Sequence, residues 1–308
     1  MSELRFDSRV VIVTGAGRGL GAAYARLLGG RGAHVIVNDL GCDVTGNGSD
    51  REPATDVARR VREAGGSAQV SFHDVREPEA ARALVDATLA EFGRVDAVVH
   101  NAGINTQTDF ASTTPEEMRR HLAVDPMASY HVTRSVWPLF VGQGYGRLVF
   151  STSGGMLGLP KVTAYGAAKG ATWMFARCLA AASPDGIKVN AVAPAAFSRM
   201  TAGNPVLSGQ ELNARRRHQP AEAVAPLVAA LLHESCPAHG ELFGAGGGLV
   251  TRLYVAETRG YYQEHLTPED ILEHWEEVIS TEDNSGPLGL AEQPRMFWSK
   301  VPPWAARA

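Results

Sequence analysis

The fold is decided by the stretch Val10-Val11-Ile12-Val13-Thr14-Gly15-Ala16-Gly17-Arg18-Gly19-Leu20-Gly21. Its first four residues form a short apolar run with branched side chains, which is typical of a buried strand. Glycines after the strand let the backbone approach a pyrophosphate, and a helix that begins there favours negative charge at its N-terminus. The order strand, glycine turn, helix therefore predicts a dinucleotide-binding turn. A flexible turn without a ligand is the alternative.

The run His34-Val35-Ile36-Val37-Asn38 predicts a second strand, and Asp39 follows it. An acidic residue about 20 positions after the glycine turn can accept the ribose hydroxyls of NAD and would repel the extra phosphate of NADP. Arg18 favours the opposite choice, because a guanidinium could bind that phosphate. We give Asp39 more weight, since it lies at the strand end that faces the ribose, and predict NAD rather than NADP.

Strands and helices alternate along the rest of the chain. Further strands are predicted at 68–72, 97–100, 146–150, 187–193 and 240–243, with helices between them. This alternation predicts an α/β fold with a Rossmann-like, doubly wound parallel sheet. Ligands bind such sheets at the carboxyl ends of the strands. The residues predicted at those ends are Gly15, Asp39, Asp74 and Asn101.

Tyr165 and Lys169 stand four residues apart, which places them on one face of a helix, one turn from each other. Free tyrosine has a pKa of about 10, and a neighbouring ammonium favours its phenolate form. The pair could therefore pass a proton to or from an alcohol oxygen. Such pairs also arise by chance, but this one follows a fifth strand that ends in Ser151-Thr152-Ser153.

Together these residues resemble the short-chain dehydrogenase/reductase family. The matching motifs are Thr-Gly-x-x-x-Gly-x-Gly at 14–21, Asn-Ala-Gly at 101–103, a serine after the fifth strand and Tyr-x-x-x-Lys at 165–169. Further stretches are similar to one branch, the dehydrogenase part of the peroxisomal multifunctional enzyme type 2, at 37–41, 193–194, 198–201, 233–236 and 267–275. That branch oxidises (3R)-hydroxyacyl-CoA with NAD.

The resemblance implies a role for each site residue. Tyr165 would be the general acid/base, and Ser153 would hydrogen-bond the same substrate oxygen. Lys169 would lower the pKa of Tyr165 and bind the nicotinamide ribose. The cofactor-binding positions implied by the resemblance are Gly15, Arg18, Gly19, Leu20, Asp39, Leu40, Asp74, Val75, Asn101, Ala102, Gly103, Tyr165, Lys169, Pro194 and Phe197.

Two positions depart from the family pattern. The usual spacing before the tyrosine selects Thr152 as the catalytic hydroxyl, whereas counting from the start of the fifth strand selects Ser153. We favour Ser153, and a threonine hydroxyl could make the same hydrogen bond. Asp125 stands where the family often has asparagine. It is either a fourth catalytic residue that alters the proton relay beside Lys169 or a helix-end cap without a catalytic part.

The remaining segments bear on substrate and domain organisation. The polar stretch 201–220 is predicted to be a mobile substrate lid. Within it, Arg215-Arg216-Arg217-His218 either meets the phosphates of a CoA-type substrate or forms a solvated helix face. We predict an NAD-binding domain with the catalytic site over 1–250 and a C-terminal extension over 251–308, packed on the same or a neighbouring subunit. Thr267-Pro268-Glu269-Asp270 predicts a helix start in that extension.

Composition limits the other function classes. The chain has 308 residues, a formal net charge of −4 and no strongly basic block, which argues against a nucleic-acid partner. No apolar run approaches the ~20 residues of a membrane span. The three cysteines, Cys42, Cys178 and Cys236, lack metal-ligand spacing and predict reduced thiols without a metal. With no signal-peptide core and no peroxisomal C-terminal tripeptide, we expect a cytoplasmic location.

These observations predict an NAD(H)-dependent oxidoreductase that interconverts a secondary alcohol and a ketone. A 3-hydroxyacyl thioester is the first predicted substrate, and a bulky polycyclic compound (a steroid or polyketide) is the second. The alternative is a protein of the same fold that binds the nucleotide but performs cyclisation or isomerisation, or acts as a scaffold. By resemblance alone, a homodimer or homotetramer is expected.

Overall fold

The computed structural model of the chain describes residues 3–202, 208–282, 284, 286 and 300. The chain divides into two compact units, Met1–Arg252 and Leu253–Ala308. Most of the proline-rich tail that the sequence predicts to be ordered, from residue 285 onward, lies outside the described residues.

Within the described residues, eight strands form one sheet. They are β1 (Val10–Thr14), β2 (His34–Asn38), β3 (Ser67–Ser71), β4 (Ala97–His100), β5 (Gly146–Ser151), β6 (Ile187–Pro194), β7 (Leu242–Gly246) and β8 (Leu249–Leu253). Across the sheet their order is β3-β2-β1-β4-β5-β6-β7-β8, and β1 to β7 pair in parallel. The predicted Rossmann-like α/β fold is confirmed. Strands β2 and β3 are added on one side of β1, and β4 and the later strands are added on the other side. The order of the strands therefore reverses between β1 and β4, which is where sheets of this kind bind their ligands.

Eleven α-helices are present in the described residues. They are α1 (Gly19–Gly30), α2 (Glu52–Glu63), α3 (Pro78–Phe92), α4 (Pro115–Leu122), α5 (Ala128–Gln143), α6 (Thr163–Ala181), α7 (Arg199–Ala202), α8 (Gly209–His218), α9 (Ala225–Leu232), α10 (Pro268–Glu273) and α11 (Trp275–Ile279). Every residue of β1 is buried. A continuous apolar strand of this kind is expected when helices cover both faces of a parallel sheet.

The helix that contains Pro126 includes a single π-helical turn at that residue. α4 ends at Leu122, the π turn covers Ala123–Met127, and α5 follows without a break. Proline lacks the N–H that a regular helix needs and its ring displaces the carbonyl one turn earlier, so the wider turn accommodates it. Asp125 lies within this turn and is 1% exposed, which places its carboxyl group in the interior.

Within the stretch 201–220, which is predicted to be a substrate lid, α8 begins at Gly209 with a capping box between Ser208 and Glu211. Residues 203–207 lie outside the described part, and the lid stays a prediction. One prediction from sequence was wrong. The last strand does not stop at residue 243, since β7 continues to Gly246 and β8 follows after only Gly247 and Gly248. Such a short connection joins antiparallel strands.

Candidate active site

The carboxyl ends of the central strands open into one cleft. Most of the residues predicted to bind the cofactor line it, namely Gly15, Arg18, Gly19, Leu20, Asp39, Leu40, Asp74, Val75, Asn101, Ala102, Gly103, Tyr165, Lys169 and Pro194. Asp125, Ser153 and Phe197 are not among the lining residues. Asp125 forms an ion pair with Lys169, and Ser153 lies near the ring of Tyr165. Phe197 is half-buried, and the guanidinium of Arg216 lies over its ring.

The glycine turn has the geometry that an anionic ligand needs. Gly15 has a φ of +62°, and a Cβ there would lie 2.7 Å from the Cα of Ala102, so a larger residue would push the turn away from the next strand. Gly19, with a φ of +53°, begins α1, and no atom lies within 4 Å of the point that its Cβ would occupy. The helix N-terminus therefore stands clear beside the cleft, and these residues fit the pyrophosphate of a dinucleotide.

Asp39 and Arg18 are both engaged at the mouth of this turn. The carboxylate of Asp39 accepts hydrogen bonds from the N–H of Gly17 at 2.7 Å and of Gly41 at 2.6 Å. The guanidinium of Arg18 pairs with Asp50 at 3.2 Å and also donates to the carbonyl oxygens of Gly41 and Cys42. Asp39 is thus fixed at the end of β2, while Arg18 is bound to the segment that follows.

That segment, residues 41–50, contributes to the lining of the cleft, which the sequence did not predict. Cys42, Asp43, Val44 and Gly46 line the cleft together with the predicted residues. The loop is ordered by Asp43, whose carboxylate accepts hydrogen bonds from the N–H groups of Thr45 and Asn47. This local turn signal is visible in the sequence, but it does not reveal which surface the loop covers.

Two polar residues at strand ends have different partners, since Asn101 joins the ends of β4 and β1 and Asp74 forms an ion pair within its own loop. The amide of Asn101 donates to the carbonyl oxygens of Thr14 and Gly15, at 3.2 and 3.0 Å. Asp74 pairs with Arg76 at 2.5 Å. Burial by itself raises the pKa of Asp74, but the hydrogen bonds from Arg76 outweigh it and the pKa lies below the usual value. Asp74 therefore remains an anionic acceptor on the wall of the cleft.

Lys169 is held behind Tyr165 by an ion pair with Asp125. The Lys169 ammonium lies 5.7 Å from the centre of the Tyr165 ring, donates to the carbonyl oxygen of Ser151 at 3.1 Å and contacts the Asp125 carboxylate. Burial alone would lower the pKa of Lys169, but the charge of Asp125 outweighs it, so the pKa lies above its usual value. Lys169 is therefore an ammonium at neutral pH.

Gly103 provides the space for this ion pair. A Cβ at Gly103 would lie 2.9 Å from Asp125 Oδ1 and 3.0 Å from Lys169 Nζ. The glycine of the Asn-Ala-Gly motif thus lets the loop after β4 approach the two charged groups. Asp125 is not a helix-end cap, because the helix continues through its π turn into α5.

The two candidate hydroxyl groups differ in their hydrogen bonds. Thr152 is 2% exposed, and its hydroxyl donates to the carbonyl oxygen of Val192 at 3.1 Å. The Ser153 hydroxyl accepts from the N–H of Gly155 at 3.1 Å, which leaves its own proton free to donate. A Cβ at Gly155 would lie within 3.4 Å of both the Tyr165 ring and Ser153 Oγ, so these two groups border the same small volume.

Metal sites and membrane-spanning helices are both absent from the described residues. Within residues 3–202, 208–282, 284, 286 and 300, no group of histidine, cysteine and carboxylate side chains is arranged to hold a metal ion. None of the helices in that same part of the chain is both long and apolar enough to cross a membrane.

Comparison with known proteins agrees with this geometry. Peroxisomal multifunctional enzyme type 2 of Mus musculus is 38% identical over 297 residues, which are 94% of this chain and 39% of that protein. A short-chain type dehydrogenase/reductase of Mycobacterium tuberculosis is 36% identical over 275 residues, 88% of this chain and 94% of that protein. The chain thus spans well under half of the mouse enzyme but nearly all of the mycobacterial one.

Solved structures and a family comparison complete the assignment. The structure of full-length peroxisomal multifunctional enzyme type 2 from Drosophila melanogaster matches with a TM-score of 0.78 at 24% identity, over 96% of this chain and 50% of that one, which shows the shared fold. The sequence model described as short chain dehydrogenase matches residues 9–207. The resemblance inferred from the motifs is confirmed: the chain belongs to the short chain dehydrogenase family and is an oxidoreductase that acts on CH–OH groups.

Proposed function

We propose that this protein interconverts a secondary alcohol and a ketone with NAD(H), and that Tyr165 handles the proton. One observation carries the proposal. Tyr165 lines the same cleft as the glycine turn, and the buried ammonium of Lys169 lies 5.7 Å from the centre of its ring. A cation at that position stabilises the negative charge that develops on the phenol oxygen while a proton is transferred.

Each side chain has one task in this proposal. The nicotinamide, when bound, supplies the acceptor or donor of the hydride. Tyr165 takes the proton of the substrate hydroxyl in oxidation and returns it to the carbonyl oxygen in reduction. Ser153 donates its free hydroxyl proton to the same oxygen and holds it in place. Lys169 stays an ammonium because Asp125 neutralises part of its charge, and it would also bind the ribose.

The proposed preference for NAD rests on Asp39 and Arg18. A fixed carboxylate at the end of β2 accepts ribose hydroxyls and repels a phosphate in their place. Arg18, the nearby group that would attract this phosphate, is held by Asp50 at 3.2 Å. Both contacts favour NAD over NADP.

The proposed substrate has a large apolar part. Phe110 is exposed on the segment between β4 and α4, and Leu157 and Leu159 are exposed on the segment between β5 and α6. The N–H of Thr108 donates to the carbonyl oxygen of Lys161 at 2.8 Å and joins these two segments. Three exposed apolar side chains on joined loops suit the chain of a 3-hydroxyacyl thioester, and a polycyclic alcohol is the second candidate. The residues of the cationic run 215–218 are exposed at the end of α8, and the guanidinium of Arg216 lies over the Phe197 ring, which favours a helix face at the surface over a phosphate site.

A homodimer or homotetramer and a cytoplasmic location stay predictions. The first follows from the family resemblance and is tested by light scattering of the purified protein. The second follows from the sequence alone and is tested by imaging the tagged protein in its own cells.

NADH absorbance tests the proposed reaction with a panel of 3-hydroxyacyl thioesters, steroid alcohols and polyketide ketones. We expect turnover by the wild type and a fall of about 10²–10⁴-fold in kcat for Tyr165→Phe, with NAD affinity unchanged. Tyr130→Phe, which changes an exposed tyrosine on α5, is the matched control and retains activity. Tight NAD binding without turnover of any compound would favour the non-redox alternative.

A further inference from the structure

A buried histidine packs against the ring of Tyr165. His121, near the end of α4, is 0% exposed, and its ring packs edge to face on the Tyr165 ring, with centroids 6.1 Å apart and planes at 74°. It is not among the residues that line the cleft. His121 is therefore placed to influence the reaction through Tyr165, whose ring it contacts.

Hydrogen bonds fix which nitrogen of His121 carries the proton. The hydroxyl of Thr106 donates its single proton to the Glu117 carboxylate and lies 2.8 Å from His121 Nε2. Because that proton is used, Thr106 can only accept from His121, so Nε2 bears the hydrogen and Nδ1 is unprotonated. Thr108 also donates to Glu117, at 2.9 Å. Burial raises the pKa of Glu117, but these two hydrogen bonds outweigh it and keep the carboxylate ionised.

The charged groups around His121 keep its ring neutral. Burial lowers the pKa of His121 to about 4, Glu117 opposes this shift, and Arg120 and Lys169 add to it. Asp125 stands one turn further along the helix, where it pairs with Lys169. Within the described residues no group donates to Nδ1, although it is buried. A phenylalanine would pack on Tyr165 without leaving a buried nitrogen unpaired, so packing alone does not explain why a histidine stands at this position.

We propose that His121 is a positioning residue for Tyr165: Glu117 and Thr106 hold its neutral ring in one orientation, and that ring sets the orientation of the Tyr165 ring. The proposal rests on the proposed acid/base role of Tyr165. The chain from Glu117 through Thr106 and His121 to Tyr165 extends the arrangement in which a carboxylate orients a histidine beside a reacting group. Here the oriented ring moves no proton and acts by contact alone.

Thr106→Val tests the proposal, because it removes the hydroxyl and leaves both aromatic rings in place. We expect kcat to fall about 10-fold with the KM for NAD unchanged, since a full 1 Å misplacement of a reacting group costs about 10²-fold. Thr106→Ser keeps the hydroxyl and should restore kcat. Equal losses in the valine and serine variants would overturn the proposal, as would a valine variant with wild-type kcat.

The chain offers a matched control for stability. Thr133 and His100 form a second buried threonine–histidine pair, 3.0 Å apart, in which the histidine stacks on Phe150 rather than on Tyr165. Thr133→Val should lower the melting temperature as much as Thr106→Val does while kcat stays near the wild-type value. Similar losses of kcat in both variants would show that general loosening is the cause and would overturn the proposal.

A readout independent of turnover separates this proposal from the proposed function. Histidine-selective ¹⁵N NMR, with the His121 signal assigned by His121→Gln, reports the tautomer directly. We expect the Nε2–H form in the wild type and a mixture of tautomers in Thr106→Val. An Nδ1–H tautomer in the wild type would overturn the positioning proposal even if the enzyme is active. The expected tautomer in a protein without turnover would instead count against the proposed reaction.

Discussion

The carboxylate of Asp125 lies directly against the ammonium of Lys169, and both side chains are almost completely buried. Two charges taken out of water stabilise a protein only together, since the loss of either one leaves the other unpaired. The π turn at Pro126 places Asp125 in this position, and Gly103 leaves room for the contact. The ion pair between Asp125 and Lys169 therefore depends on the bend in the helix at Pro126.

Asp125→Ala should destabilise the fold, because Lys169 would become an unpaired buried charge. We expect a loss of about 3–5 kcal/mol in the free energy of unfolding, measured by urea titration. Asp125→Asn should lose less, since an amide oxygen can still accept from Nζ. The control is Glu116→Ala, which removes an exposed partner of Arg119 and should leave the midpoint unchanged. A wild-type midpoint for Asp125→Ala would contradict this account of the pair.

Gly103→Ala should impair activity more than stability. Its methyl group would fall 2.9 Å from Asp125 Oδ1 and 3.0 Å from Lys169 Nζ, so both charged groups must shift away from it while their ion pair stays formed. We expect kcat to fall on the order of 10²-fold, as for a displaced catalytic group, measured by NADH absorbance with the best substrate of the panel.

Gly142→Ala is the matched control for that substitution. Gly142 lies in α5, and no atom is found within 4 Å of the point that its Cβ would occupy. Alanine should stabilise this helix by about 0.4–1 kcal/mol and leave kcat unchanged. If Gly103→Ala behaves like Gly142→Ala, the close approach at Gly103 is not needed for catalysis.

Much of the fold and part of the site could be predicted from local patterns. The strands β1, β2, β4 and β5 contain apolar runs that are followed by turn residues, and Pro126 is itself a local signal for a bent helix. β8 escaped prediction because all but its last residue are exposed, so no alternation of buried and exposed side chains marks it. The capping box at Ser208 was present in the sequence and was overlooked.

Contacts between distant segments could not be predicted in the same way. Asp125 and Lys169 are 44 positions apart (169 − 125), and no spacing rule links residues on two different helices. The same holds for Arg18 and Asp50, whose pairing depends on how the 41–50 loop folds over the glycine turn. Tyr165 and Lys169 could be paired from sequence, since they share one helix.

Cofactor preference should respond in opposite ways to two acidic residues near the glycine turn. Asp39→Ala removes the carboxylate that accepts from Gly17 and Gly41, so NAD affinity should fall relative to NADP. Asp50→Ala keeps that carboxylate but frees the Arg18 guanidinium, which should raise NADP affinity without a loss for NAD. Fluorescence titration with NADH and NADPH measures both, and an unchanged preference in Asp39→Ala would refute the role given to Asp39.

Stability should fall as the pH drops from about 6.5 to about 4, because two buried histidines resist protonation. Burial lowers the pKa of His100 to about 3 and that of His121 to about 4. In the unfolded chain both histidines bind a proton near pH 6.5. Between that pH and their lower pKa values in the folded protein, the unfolded state therefore binds more protons than the folded state. Stability therefore decreases as the pH falls, by at most about 1.4 kcal/mol per pH unit for each histidine.

Urea titrations at several pH values between 7 and 4 measure this slope in the wild type, His100→Gln and His121→Gln. Each substitution removes one titrating group and should flatten the curve, whereas His265→Gln, at an exposed position, should leave it unchanged. A slope that is the same in all four proteins would mean that neither histidine stays neutral in the folded state. Because a cation at His121 would stand beside Lys169, that result would also weaken the case for a neutral ring behind Tyr165.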